Sequence, residues 1–266
     1  MTIRAICAPL MFLMGGLLFA QTQPADLIDR TFHLGVFHTP QDLQEMATVL
    51  RTVTDITRLS IDSVGPSMTI TADAEHLAVS EWVLKNLDQQ PGDDAARSAR
   101  FKLVTEHSMP VTVRDGEQFV RIFYLANNPT PMQAQELITV LRTVGNVAKI
   151  FNYSDLKAIV ARGTKDRLQI VEWILSQLDA PGPPSSGAAR LQTAEFQIPS
   201  IQIVYFSGKR GETQPIQETM TAIRTAVDDL RCFNYSRLGA VIFGGSAAQT
   251  ARATKIIQDR MQPAVR

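Results

Sequence analysis

The residues of this chain whose types most readily do chemistry are four histidines, His33, His38, His76 and His107, two cysteines, and a Lys209-Arg210 pair flanked by Gly208 and Gly211. No pair of the histidines has the spacing that puts two metal ligands on one helical face, and His33 and His38 on a single strand would point to opposite sides. A metal would need ligands gathered from separate elements, so none is expected. The glycines around Lys209-Arg210 are in the wrong arrangement for a phosphate loop and read as a hairpin turn; a G-x-S-x-G elbow and an H-E-x-x-H helix are missing from the sequence. The expectation is therefore a protein without catalytic, cofactor or metal residues, and not an enzyme.

A different pattern of polar residues does stand out, because it recurs. Gln44, Thr48 and Arg51 return as Gln135, Thr139 and Arg142, and again as Gln217, Thr221 and Arg224. Spacings of four and three put each trio on one helical face, away from the apolar stripe. These nine residues are the candidate interface for an adjacent module or subunit. The competing reading is a solvated face copied by duplication, with the arginine favourable near a helix C-terminus.

The trios belong to a larger repeat. TPQDLQEMATVLRTV at residues 39–53 returns 91 positions later as TPMQAQELITVLRTV, and a weaker copy, QETMTAIRT, starts at Gln217. Trp82 in EWVLKNLD matches Trp173 in EWILSQLD, and FNYS at residues 151–154 reappears at residues 233–236. The period exceeds that of a solenoid, so tandem small domains are expected. The second copy shows the order most clearly. FVRIFYL reads as a strand, and Ala134, Leu137, Ile138, Leu141 and Val144 form a helical apolar stripe. Two short strands follow, around Lys149 and Lys157, then a second helix with Leu168, Val171, Ile174, Leu175 and Leu178 inward. Asp73, Thr164 and Ser246 stand where that second helix needs a cap, and Ser246 with Gln249 makes a capping box.

The expected fold class is α+β, three tandem small βαββα modules with the helices on one face of a short mixed sheet. Modules are placed at residues 27–92, 99–182 and, more divergent, 189–266, separated by GDDAAR and GPPSSG. Short extra strands are expected at FKLVTE and PVTV, and a matching lead-in before the third unit. Trp82 and Trp173 are expected at the edge of the core. Residues 1–20 read as a signal peptide, placing the protein in the periplasm or outside the cell, with an uncleaved anchor as the alternative. Cys232 is then the sole cysteine of the mature chain and is expected buried in a strand. Acidic and basic residues balance at 26 each, which gives no reason to expect nucleic acid.

The strand-helix-strand-strand-helix unit, with Phe123-Tyr124-Leu125, Ala161-Arg162-Gly163-Thr164 and Leu178-Asp179, resembles the periplasmic N-terminal repeats of secretins, the ring-building modules of bacterial secretion and pilus channels. In the first unit Ala72 and Asp73 replace the Gly-Thr pair, and in the third Asp179 has no counterpart. The resemblance implies modules that pack side by side, with no room in the sequence for the C-terminal membrane barrel. It makes the chain a non-enzymatic cell-envelope scaffold or adaptor with protein partners, itself or a secretin-type channel component, and no small-molecule substrate or membrane span after signal cleavage. The alternative is a ligand- or nucleic-acid-binding module of KH-like topology, for which a G-x-x-G loop is absent at the place between helices where it would be needed.

Overall fold

A computed structural model of the chain describes residues 27–36, 38–62, 64–89, 107–109, 118–127, 130–182, 190–195, 200–206 and 214–261. The first module contains β1 (Ile28–His33), α1 (Pro40–Thr54), β2 (Arg58–Asp62), β3 (Ser67–Ala72) and α2 (Ala74–Leu87). The second contains β4 (His107–Met109), β5 (Gln118–Tyr124), α3 (Pro131–Thr143), β6 (Lys149–Tyr153), β7 (Ala158–Gly163) and α4 (Lys165–Leu178). The third contains β8 (Arg190–Glu195), β9 (Ser200–Tyr205), α5 (Gln214–Ala226), β10 (Arg231–Tyr235), β11 (Ala240–Gly245) and α6 (Ala247–Met261). The fold is thus α+β in tandem βαββα-like modules, and each sheet has the same three-strand kernel.

The strand orders are β1-β3-β2, β4-β5-β7-β6 and β10-β11-β9-β8. Every described pairing is antiparallel, a correction to the expected mixed sheet. The second strand of each hairpin lies in the middle, so the two strands that run parallel sit on either side of it and never pair. The lead-in strands β4 and β8 extend the second and third sheets by one strand each. β4 falls between the two expected extra strands, FKLVTE and PVTV, which themselves lie outside the described residues, as do the signal peptide, the linkers apart from Gly182 and the Lys209-Arg210 turn.

Local chemistry explains the helices. Thr39 and Thr130 cap α1 and α3 in reciprocal boxes with Asp42 and Gln133, each followed by a proline that presets the first turn. Asp73 and Thr164 cap α2 and α4, and Ser246 exchanges hydrogen bonds with Gln249 at the start of α6. The caps match the expectation at all three second helices.

The apolar residues show how the modules are assembled. Met68 and Ile70 of β3 pack with Leu43, Leu50, Leu77 and Leu84 of the first module's helices, and the same cluster continues into Val120, Ile122, Tyr124, Ala158 and Val160 of the second sheet. Phe123, Ile150, Ile159 and Ala161, on the other face of that sheet, join α3 and α4, and this core runs on into Ile201, Ile203, Tyr205 and Ile242 of the third sheet. The first two helix pairs are therefore each covered by their own sheet on one side and by the next module's sheet on the other. Helices do lie on one face of their own sheet, as expected, but the second and third sheets are buried on both faces. This is why FVRIFYL and SIQIVY read as nearly continuous apolar runs and not as alternating ones.

Trp82 and Trp173 are half-buried at the margins of these cores. Cys232 is buried in the third module's own core beside Val241 and Phe243, with burial pushing its thiol up to about 11.

Candidate functional site

The candidate site is the pair of junctions where one module's helices meet the next module's sheet. Two ties recur at both. Glu45 on α1 accepts the Ser154 amide at 2.8 Å, and Glu136 on α3 accepts the Ser236 amide at 3.0 Å and its hydroxyl at 2.6 Å. The Tyr124 hydroxyl donates to the Asn86 carbonyl at 2.9 Å, and the Tyr205 hydroxyl to the Gln177 carbonyl at 3.0 Å. The repeated FNYS thus has a physical purpose: its tyrosine fills the junction and its serine is tied to the preceding helix. The sequence exposed the repetition but not its role, because the partner lies in another module.

A second repeated device orders the loop before the first helix in the first two modules. Asp88 accepts the Gly35 and Val36 amides at 2.6 and 3.0 Å, and Asp179 accepts those of Ala126 and Asn127 at 2.5 and 2.9 Å. The carboxylate of the Leu-Asp motif thus ends one helix and positions the start of another. This bend takes the chain off β1 after His33, so His38 does not share a strand with it, contrary to expectation; His38 stands just ahead of the α1 cap.

The two junctions differ in their charges. In the first, Asp55, at the left-handed C-cap of α1, is held by Lys149 and by Arg162 at 2.7 Å, and Arg162 also donates to the Val53 carbonyl. Burial raises the Asp55 carboxyl, but the hydrogen bonds and charges of Lys149 and Arg162 outweigh it and hold it below the usual range. In the second junction Gly244 takes the place of Arg162. A Cβ there would lie 3.0 Å from the Val144 side chain, so glycine permits a close contact.

At the other end of α1, the His38 side chain is fully buried, with Nε2 3.0 Å from Asp88 Oδ1 and Nδ1 3.4 Å from the Tyr153 hydroxyl and 4.0 Å from Asp155 Oδ2. One ligand atom each from His38, Asp42 and Asp155 lie within 4.8 Å of one another. Burial raises the Asp88 carboxyl, yet the Gly35 amide, His38 and the Val36 amide together bring it below its ordinary value. Asp155 is raised, first by burial and then by the Asp42 carboxylate, with His38 opposing. The expectation of separated histidines missed this group because its members come from a loop, a helix and a turn of two modules.

The nine candidate interface residues do share one face per helix. The threonines Thr48, Thr139 and Thr221 each donate to the carbonyl four residues back, which is Gln44, Gln135 and Gln217. Arg51, Arg142 and Arg224 donate to the Leu59, Ile150 and Cys232 carbonyls of β2, β6 and β10. Each of those strands is the edge of its sheet, so the arginine ties the helix to an edge backbone group. The glutamines are exposed. Further crossbars tie first strands to second helices: Arg30 with Glu81 at 2.8 Å, Arg121 with Glu172 at 3.4 Å, and Gln202 with Thr254.

No family model matches the chain, and no curated protein matches its sequence. Among solved structures it is similar to Aeromonas hydrophila ExeD, at 14% identity over 89% of this chain and 41% of that one, with a TM-score of 0.21. It is similar also to the ETEC pilotin-secretin AspS-GspD complex, at 11% identity over 90% of this chain and 39% of that one, again with a TM-score of 0.21. The chain spans about two fifths of the length of each. The likeness to secretin structures is distant, and the functional reading rests on the modules themselves. No described helix is long and apolar enough to cross a membrane.

Proposed function

We propose that the chain is a non-enzymatic scaffold or adaptor of the cell envelope, built of secretin N-domain-like modules and acting through protein-protein assembly. What supports this reading most is the stacking itself. The same register of strand face on helix pair is used at both junctions, with the same glutamate-serine and tyrosine-carbonyl ties. Docked modules keep a fixed spacing, which suits a part that holds other proteins at set positions. The exposed glutamines of the three first helices share a helical face with the arginines that bond the edge strands, and are the proposed contact surface, toward another copy or a secretin-type component.

The test is the absolute mass of residues 21–266 by light scattering across a wide concentration range, together with crosslinking in the intact envelope. A defined oligomer or a discrete crosslinked complex is expected, weakened when Gln44, Gln135 and Gln217 are all changed to lysine. A strict monomer that forms no crosslinked species would overturn the proposal.

A further inference from the structure

We propose that His38, Asp42 and Asp155 form a site for a divalent transition-metal cation that clips the first module to the second. Two of these residues belong to the first module and the third to the turn after β6, so an ion held by all three would bridge the junction.

Three observations converge on a cation. The first is the orientation of the imidazole. An ionised Asp88 can only accept, so the 3.0 Å contact places a proton on Nε2, and in the neutral imidazole the Nδ1 lone pair then lies 4.0 Å from Asp155 Oδ2 and 3.4 Å from the Tyr153 hydroxyl. A carboxylate behind a histidine whose other nitrogen faces further carboxylates is the arrangement that orients metal-bound histidines. The second is the balance of groups around Asp155. Its neighbours are Asp42, His38, Glu45 and the Tyr153 hydroxyl, which has one proton to donate among several acceptors.

The third is the comparison with the other junction. The repeat aligns His38 with Pro129, Asp42 with Gln133 and Asp155 with Arg237, while Tyr153, Glu45 and Asp88 are matched by Tyr235, Glu136 and Asp179. There the Arg237 guanidinium stands near enough to Tyr235 and Asp179 for its charge to favour the ionised form of each. The second junction carries its own cation in the chain. The first has exchanged that arginine for an aspartate and added a histidine and a second aspartate beside it. One imidazole nitrogen with two carboxylate oxygens suits zinc and its first-row neighbours better than calcium or magnesium, which prefer all-oxygen shells. Ligand bonds of about 2.0–2.2 Å require the three atoms to close by roughly an ångström, within reach of side-chain adjustment.

The experiment uses chelator-treated mature chain and zinc chloride. One tightly bound equivalent is expected by elemental analysis after desalting, with a melting temperature that rises with free zinc. Cobalt(II) should give the visible bands of a low-symmetry site. Asp155→Asn should weaken zinc binding at least about tenfold (about 1.4 kcal/mol). Asp155→Arg, which imports the chemistry of the second junction, should abolish the zinc response while remaining folded by circular dichroism. Less than a tenth of an equivalent bound at micromolar free zinc would overturn the proposal. So would unchanged binding in Asp155→Asn, which would assign the metal to other histidines as an adventitious ion only.

Discussion

Single carboxylates do much of the joining in this protein, and Asp55 shows how. It ends α1 in the left-handed region with φ at 60°, a conformation that aspartate tolerates better than most residues. From there it meets Lys149 and Arg162 of the next module. Its carboxyl is held below the ordinary range in the folded chain, so the sign is that of a depressed acid: the stabilisation is full above the unfolded value of about 3.9 and is lost as pH falls through the folded value. Asp55→Asn should therefore destabilise the protein near neutrality, and the gap to the parent should close below about pH 4. Urea unfolding of both proteins between about pH 3 and pH 6 measures that gap. A gap that stayed constant with pH would show that Asp55 acts through its cap geometry and not through its charge. Asp155 carries the opposite sign: its carboxyl is raised, so ionising it opposes folding, and acidification relieves that opposition.

Among the elements, the first helices are held at both ends by side chains that the repeat keeps in place. Thr130 caps α3 by accepting the Gln133 amide at 3.3 Å, while Gln133 returns a carbonyl to the Thr130 amide at 3.1 Å. At the far end Arg142 reaches the Ile150 carbonyl at 2.8 Å. Thr130→Ala should cost about 1 kcal/mol of stability by urea titration. Thr130→Ser should recover most of it, since the hydroxyl is what the cap requires; failure of serine to rescue would mean that the methyl packing dominates. These helices were legible in the sequence because caps and apolar stripes are local, encoded within four residues of the backbone groups they serve. The sheets were less legible. Strand direction depends on which strand takes the centre, and β5 and β9 gave no alternation to reveal it, since both their faces are covered. His38 was misplaced on β1 for a related reason: the bend that removes it is made by Asp88, about fifty residues away in sequence. The stripe of Gln44, Thr48 and Arg51 was visible, but the arginine's partner on β2 could be found only in three dimensions.

At the scale of the whole molecule, the three equivalent strand faces explain where the stack stops. Val120, Ile122 and Tyr124 on β5 and Ile201, Ile203 and Tyr205 on β9 are buried against a preceding helix pair. The matching residues of β1 are Asp29, Thr31 and His33, all exposed, and Thr31 bonds Thr69 across the sheet at 2.9 Å. The last helices differ in the same sense. Positions that are Ile170 and Leu178 on α4, both buried, become Arg252 and Arg260 on α6, both exposed. The two described ends therefore lack the apolar surface that drives this mode of packing, and end-to-end growth of the stack is disfavoured. The internal docking can be tested apart from the stability of any one module. Ile122 and Ile159 occupy neighbouring strands of the second sheet, are both fully buried, and point to opposite faces, Ile122 into the first junction and Ile159 into its own module's core. Either residue changed to alanine should cost about 2–5 kcal/mol through the cavity left behind. Only Ile122→Ala should also loosen the first module from the second. Calorimetry should then resolve two transitions where the parent shows one, with an increased radius of gyration, while Ile159→Ala lowers stability within a single transition. Two transitions already present in the parent would mean that the modules share surfaces without sharing cooperativity.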